Sequence, residues 1–165
     1  MKNLKLFILL AAFSTLFMGC PYSSDVPIDE PSVKTDPKLI GKWEDKNSSD
    51  YNYVITKTGD FNYKICKRKT KAESTGSDTA TYMAYVSDIN GTKFLNLWEA
   101  YATSKSYSFY KLDMSGSGSK ITLASVTENI DEKFTSSADL KKFFQTYMNL
   151  SFFYSKDEDV YIRAD

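Results

Sequence analysis

Histidine is absent from the 165-residue chain. That removes His-based triads, imidazole acid–base catalysis and His metal ligation together. Only Cys20 and Cys66 offer thiols, too few for a disulfide framework. All four prolines (Pro21, Pro27, Pro31 and Pro37) precede residue 38, so nothing beyond that point is broken by a missing backbone N–H. Acids and bases balance at 21 each, which leaves no overall attraction to nucleic acid. The one long apolar run, Leu6 to Phe17, is short of the ~20 residues a membrane-spanning helix needs.

That run has the pattern of an export signal. Lys2 and Lys5 precede it, and Gly19-Cys20 ends it. Phe17-Met18-Gly19-Cys20 resembles a bacterial lipobox. The resemblance implies that residues 1–19 are a signal peptide and that Cys20 becomes the mature N-terminus. It also implies that Cys20 carries diacylglycerol and an amide-linked acyl chain such as palmitate. Two or more chains give stable anchoring, at ~0.8 kcal/mol per buried methylene. The implied location is the bacterial cell envelope, lipid-anchored to the outer membrane and facing the periplasm or the cell surface. Loss of residues 1–19 leaves a net charge of −2. With Cys20 acylated, the exported domain holds together without a disulfide, and Cys66, in a strand-like run, reads as a small buried hydrophobe.

Residues 20–37 read as a lipidated, Pro-rich tether. They show no apolar periodicity, and Ser, Asp and Glu surround the prolines. Fully extended, such a tether would hold the domain ~50 Å from the membrane.

From residue 38 the pattern is β. Gly41–Asp45, Tyr51–Lys57, Phe61–Lys67, Thr79–Ile89, Lys93–Trp98, Ser106–Met114 and Lys120–Val126 read as strands. Thr58-Gly59-Asp60 and Asn90-Gly91 predict tight hairpins. Phe94, Leu95, Leu97 and Trp98 are nearly continuous, which predicts a strand buried on both faces or covered by the later helix. Ser136 then starts a helix, with Asp139 in its positive first turn. Leu140, Phe143, Phe144, Tyr147 and Met148 make its apolar stripe. A helix of about 13 residues is marginal alone and needs a sheet to lie against. Leu150 to Arg163 reads as a short strand, an acidic turn at Asp157-Glu158-Asp159, and a final strand.

These elements predict a mainly β domain over residues 38–165: an antiparallel eight-stranded barrel with one C-terminal amphipathic helix outside it. Gly41-Lys42-Trp43 near the domain start, with strand–helix–strand at the end, resembles the lipocalins. The resemblance implies that Trp43 closes the barrel floor and that a late basic residue, here Arg163, packs across it. It also implies a small ligand in the barrel mouth.

Twelve Tyr and eleven Phe are the notable excess. Trp43, Tyr53, Tyr63, Tyr82, Tyr107 and Phe109 are the candidate pocket residues. Inward rings suit either a lined cavity for a small apolar or aromatic ligand, or a filled core; a filled barrel would favour a protein partner instead. Asp157, Glu158 and Asp159 lack the spacing of a calcium loop, so no metal or cofactor is expected. Lys64, Lys67, Arg68, Lys69 and Lys71 form a basic cluster that reads as a solvated hairpin end or a site for an anionic partner. No nucleophile with its base can be named, so no enzyme is expected.

Overall fold

The computed structural model describes residues 21–70 and 79–164. Residues 1–19, expected to be a signal peptide, Cys20, and Lys71 of the basic cluster lie outside the described residues. Among the described residues, nine strands and one α-helix follow in order: β1 (Ser23–Ser24), β2 (Gly41–Asp45), β3 (Ser48–Lys57), β4 (Asn62–Lys69), β5 (Ala80–Ile89), β6 (Thr92–Glu99), β7 (Tyr107–Met114), β8 (Lys120–Val126), α1 (Ser137–Tyr147) and β9 (Tyr154–Ala164). Strands β2 to β9 pair antiparallel in sequence order, and β9 returns to β2. The sheet is therefore a closed eight-stranded barrel with no free edge along the seam.

The hairpins are set by local backbone chemistry. Ile89 pairs with Thr92 across Asn90-Gly91. Both turn residues have positive φ, 53° and 86°, as the tight hairpin that suits twisted strands requires. The helix starts where its cap permits. The Asp139 N–H donates to the Ser136 hydroxyl at 3.2 Å, and that hydroxyl donates to the Asp139 carboxylate at 2.6 Å. The helix has 11 residues. Met148, the last residue of the apolar stripe, sits at the C-cap and closes a bond to the Phe144 carbonyl.

Side chains alternate across each strand, and both faces of β5 to β7 are buried. The inner face carries Trp43, Tyr63, Ile65, Ala84, Val86, Leu95, Leu112 and Ile121. The outer face of β5–β7 carries Tyr85, Ile89, Phe94, Tyr107 and Phe109, covered by Leu140, Phe144 and Met148 of the helix. Phe144 is the centre of this second core. Its ring meets Phe94 at 5.1 Å, Phe109 at 5.3 Å and Phe153 at 5.1 Å, each edge to face.

Two expectations are corrected. Residues 21–37 are not a loose tether. Tyr22 and Ile28 are buried in the outer core, and β1 pairs with the upper end of β7. The Ile28 N–H donates to Asn96 Oδ1 at 3.0 Å, and Asn96 Nδ2 donates to Ser87 Oγ at 2.8 Å. Asp29 receives the Ser87 hydroxyl and, at 2.7 Å, the Lys141 ammonium; its carbonyl receives the Tyr85 hydroxyl. The segment is a strap between sheet and helix, held by single anchors six residues apart. Anchors so spaced leave no periodic trace in the sequence. The second correction concerns Asp157-Glu158-Asp159, which is no turn. All three lie within the continuous strand β9, where Glu158 pairs with Ala124 and Asp159 with Leu123. The β2 pairing ends at Asp45–Tyr161, so this stretch of β9 outruns its neighbour on one side and its acids reach water.

Ile28 is fully buried. Ile28→Ala is expected to lower unfolding free energy by about 2–5 kcal/mol in urea titrations, the usual cost of truncating a core isoleucine. A loose tether would give no change.

Candidate functional site

The barrel interior contains a cavity of about 450 Å³, open at one end. Its closed end is built around Trp43, which is 1% exposed and donates its indole N–H to the Leu39 carbonyl at 2.9 Å. Arg163 is the cross-strand neighbour of Trp43, and its guanidinium lies 4.5 Å from the indole centre. That is cation–π distance. The same guanidinium donates to the carbonyls of Gly118 at 3.0 Å, Ile40 at 3.0 Å and Lys38. Gly41 makes room for it: φ there is +139°, and a Cβ would sit 2.6 Å from Arg163 Nη1. The floor is pinned again by Tyr63, whose hydroxyl accepts the Asp36 N–H at 2.6 Å.

Trp43, Tyr53, Tyr63 and Tyr82 of the six candidate pocket residues line the cavity. Tyr107 and Phe109 do not; this is a correction. They point outward into the core under the helix, while Ser108, Tyr110 and Leu112 of the same strand point inward. Both faces of β7 are buried, so alternation in the sequence does not say which face is inner.

The residues missed are mostly their alternates. Tyr110 and Tyr161 join the wall, with Ile55, Leu97 and Leu123. The Tyr53 and Tyr161 rings meet edge to face at 5.1 Å. Tyr161 fell in the expected final strand, where no signal distinguished its face. At the mouth stand Lys67, Glu99 and Asp159, with Ala102, Ser104 and Ser106 of the β6–β7 loop. The Lys67 ammonium lies 4.2 Å from the Tyr51 ring centre and 5.9 Å from that of Tyr53, which draws one member of the basic cluster toward the mouth.

Burial shifts the tyrosines strongly. Tyr110 is pushed up to about 12, first by burial and then by Asp159. Tyr161 is raised further by burial and by Tyr53, and Tyr53 and Tyr63 are raised by burial as well. Asp159 is raised by burial, then by repulsion from Asp45 and Asp157. The wall thus offers neutral phenols and apolar surface, with ionic groups confined to the rim. Among the described residues no three acid or thiol side chains converge as a metal site, and no helix is long and apolar enough to cross a membrane.

No known family model matches the chain, nor does any curated protein or solved structure.

Two outcomes are expected. Gly41→Ala should destabilise by at least about 1–3 kcal/mol, since a methyl there meets both an unfavourable φ and the guanidinium; chemical denaturation followed by tryptophan emission measures it. Alkaline pH should also destabilise. Below pH 10, the ordinary tyrosine value, neither the folded nor the unfolded chain ionises these phenols. Between there and about 12 only the unfolded chain releases the Tyr110 proton, so stability falls as pH rises. Thermal melts across that range would show a falling midpoint.

Proposed function

We propose that the chain is a bacterial lipocalin-like lipoprotein, anchored through Cys20 to the outer membrane, whose barrel binds one small apolar or aromatic ligand. The observation that carries the ligand half is the cavity: about 450 Å³, walled by Trp43, five tyrosines and branched aliphatics, with its ionic groups at the mouth. That volume is within the range of small-molecule sites, and an apolar wall with a few polar groups is their usual lining. The anchor half rests on the lipobox-like Phe17-Met18-Gly19-Cys20.

The wall chemistry sets the ligand class. Phenol and indole faces favour flat or apolar molecules by stacking and by burial of apolar area. Neutral phenols present hydroxyls for a single polar substituent. Lys67, Glu99 and Asp159 keep both charge signs at the rim, where a ligand's polar end would meet water. The competing reading, a protein-interaction module with a filled barrel, is less well supported because the interior holds open space. No reaction is assigned.

The test is native mass spectrometry of the protein purified from its own envelope, followed by titration with an apolar fluorescent naphthylamine. A retained small-molecule adduct and saturable one-to-one probe binding are expected. Leu97→Trp, which fills the cavity from its wall, should weaken probe binding by about tenfold or more while the chain stays folded, the equivalent of about 1.4 kcal/mol. Probe binding unchanged by Leu97→Trp would place the probe elsewhere and remove the cavity from the reading.

A further inference from the structure

The strap changes how an anchored barrel meets its membrane. A 17-residue tether would let the domain stand off and turn freely. Tyr22, however, is buried, and its hydroxyl donates to the Glu132 carbonyl at 2.9 Å. It lies two positions from Cys20, with only Pro21 between, which spans at most about 7 Å of chain. An acylated Cys20 would hold the barrel surface itself against the bilayer.

The part of the surface so held is identifiable. The Tyr22 N–H donates to the Val126 carbonyl at 3.0 Å. The next residue along, Thr127, donates its N–H to the Phe153 carbonyl at 3.0 Å. The chain start and the Ser151–Phe153 turn therefore flank the same end of β8, at the mouth side of the barrel. Among the described residues, four of the five large apolar side chains that are exposed stand at this end of the barrel; the fifth, Ile162, is on β9 near the closed end. Phe152 is 66% exposed and Leu150 40%, on the turn beside that strand end, with Tyr147 at the end of α1. Tyr101, 81% exposed, stands on the β6–β7 loop at the same end of the barrel. Aromatic side chains with a polar tip or an exposed ring are the kind that settle at a membrane–water interface.

We propose that this mouth-side shoulder, with Leu150 and Phe152 at its centre, rests on the bilayer directly beside the lipid anchor. The proposal rests on acylation of Cys20. The occupant is a lipid surface rather than a protein, because the anchor would bring lipid to within two positions of Tyr22, which is bonded to the same end of β8 as the patch. Glu128, Asp131 and Glu132 lie near the same strand end, so the contact does not depend on anionic headgroups. It is an apolar contact, insensitive to salt. Its consequence is that the cavity mouth faces the membrane side, giving a lipid-dissolved ligand a short path into the barrel.

The experiment uses the full acylated chain in vesicles of neutral phosphatidylcholine with brominated acyl chains. Phe152→Trp places a reporter on the shoulder, and Lys93→Trp places one at the closed end of the barrel. Emission is read as the difference from the parent chain, whose own tryptophans are Trp43 and Trp98. The Phe152→Trp signal is expected to fall by about half in brominated vesicles, as for an interfacial ring, and to stay so in high salt. The Lys93→Trp signal should be unchanged. Intact mass of the same sample reports acylation. An acylated, vesicle-bound chain in which Phe152→Trp is quenched no more than Lys93→Trp overturns the docking and leaves the anchor standing. A chain without the acyl mass overturns both.

Discussion

The barrel depends on one side chain placed across its seam. A sheet of eight strands closes only if its first and last strands meet, and here they meet at Trp43 and Arg163. The guanidinium covers the indole face and gives its N–H groups to the carbonyls of Lys38, Ile40 and Gly118. Two segments far apart in the chain, the turn leading into β2 (Lys38 and Ile40) and the β7–β8 turn (Gly118), are thus tied to β9 at one planar fork. Lysine would not do this, because its ammonium has neither the plane nor the spread of donors. Gly41 belongs to the same device, since any side chain there would occupy the place of Nη1. With the floor pinned in this way, the cavity beside Trp43 opens toward the β6–β7 loop.

The second constraint is that the sheet is buried on two sides along β5 to β7. Phe94 and Leu95 are adjacent in sequence, yet one packs under the helix and the other faces the cavity. Such strands lose the alternation that marks a half-exposed sheet. This explains what was legible in the sequence and what was not. The Asn90-Gly91 and Thr58-Gly59-Asp60 hairpins and the helix stripe from Leu140 to Met148 follow from local patterns, whereas the closing role of Trp43 and Arg163 was only what the resemblance to lipocalins implied. The inner face of β7 does not, because Tyr107, Phe109 and Tyr110 are equally apolar candidates. Nor does the strap, whose buried residues stand singly among polar neighbours. The acids of β9 misled for a different reason: three consecutive charges suggest a turn, but a strand that outruns its partner can carry them into water.

The strap is held by polar bonds as much as by apolar contact. Asp29 joins the sheet through Ser87 and Tyr85 and the helix through Lys141. The Asp29–Lys141 pair is partly shielded, with side chains 21% and 35% exposed. An ion pair of this kind contributes little net stability where its desolvation is costly. Its value is geometric: Asp29 is satisfied only when strap, sheet and helix are all in place. The apolar anchors Tyr22 and Ile28 supply burial, and the Asp29 network fixes which position along the sheet they occupy.

The cavity is the result of where small side chains sit. Ser104, Ser106, Ser108 and Ala102 form one side of the mouth, facing a wall that includes Tyr53, Tyr82 and Tyr161. Larger residues at those four positions would close the space. A sealed, dry void of about 450 Å³ would cost on the order of 10 kcal/mol by the scaling seen for cavities in lysozyme, as much as the whole stability of a typical domain. An opening at the mouth avoids that cost by admitting water. Water against phenol and aliphatic surface is in turn poorly bonded, so a molecule that replaces it gains the burial of its own apolar area. A barrel floored by Trp43 and Arg163 and left open by four small residues is thereby disposed to take up an apolar molecule whenever one is within reach of its mouth.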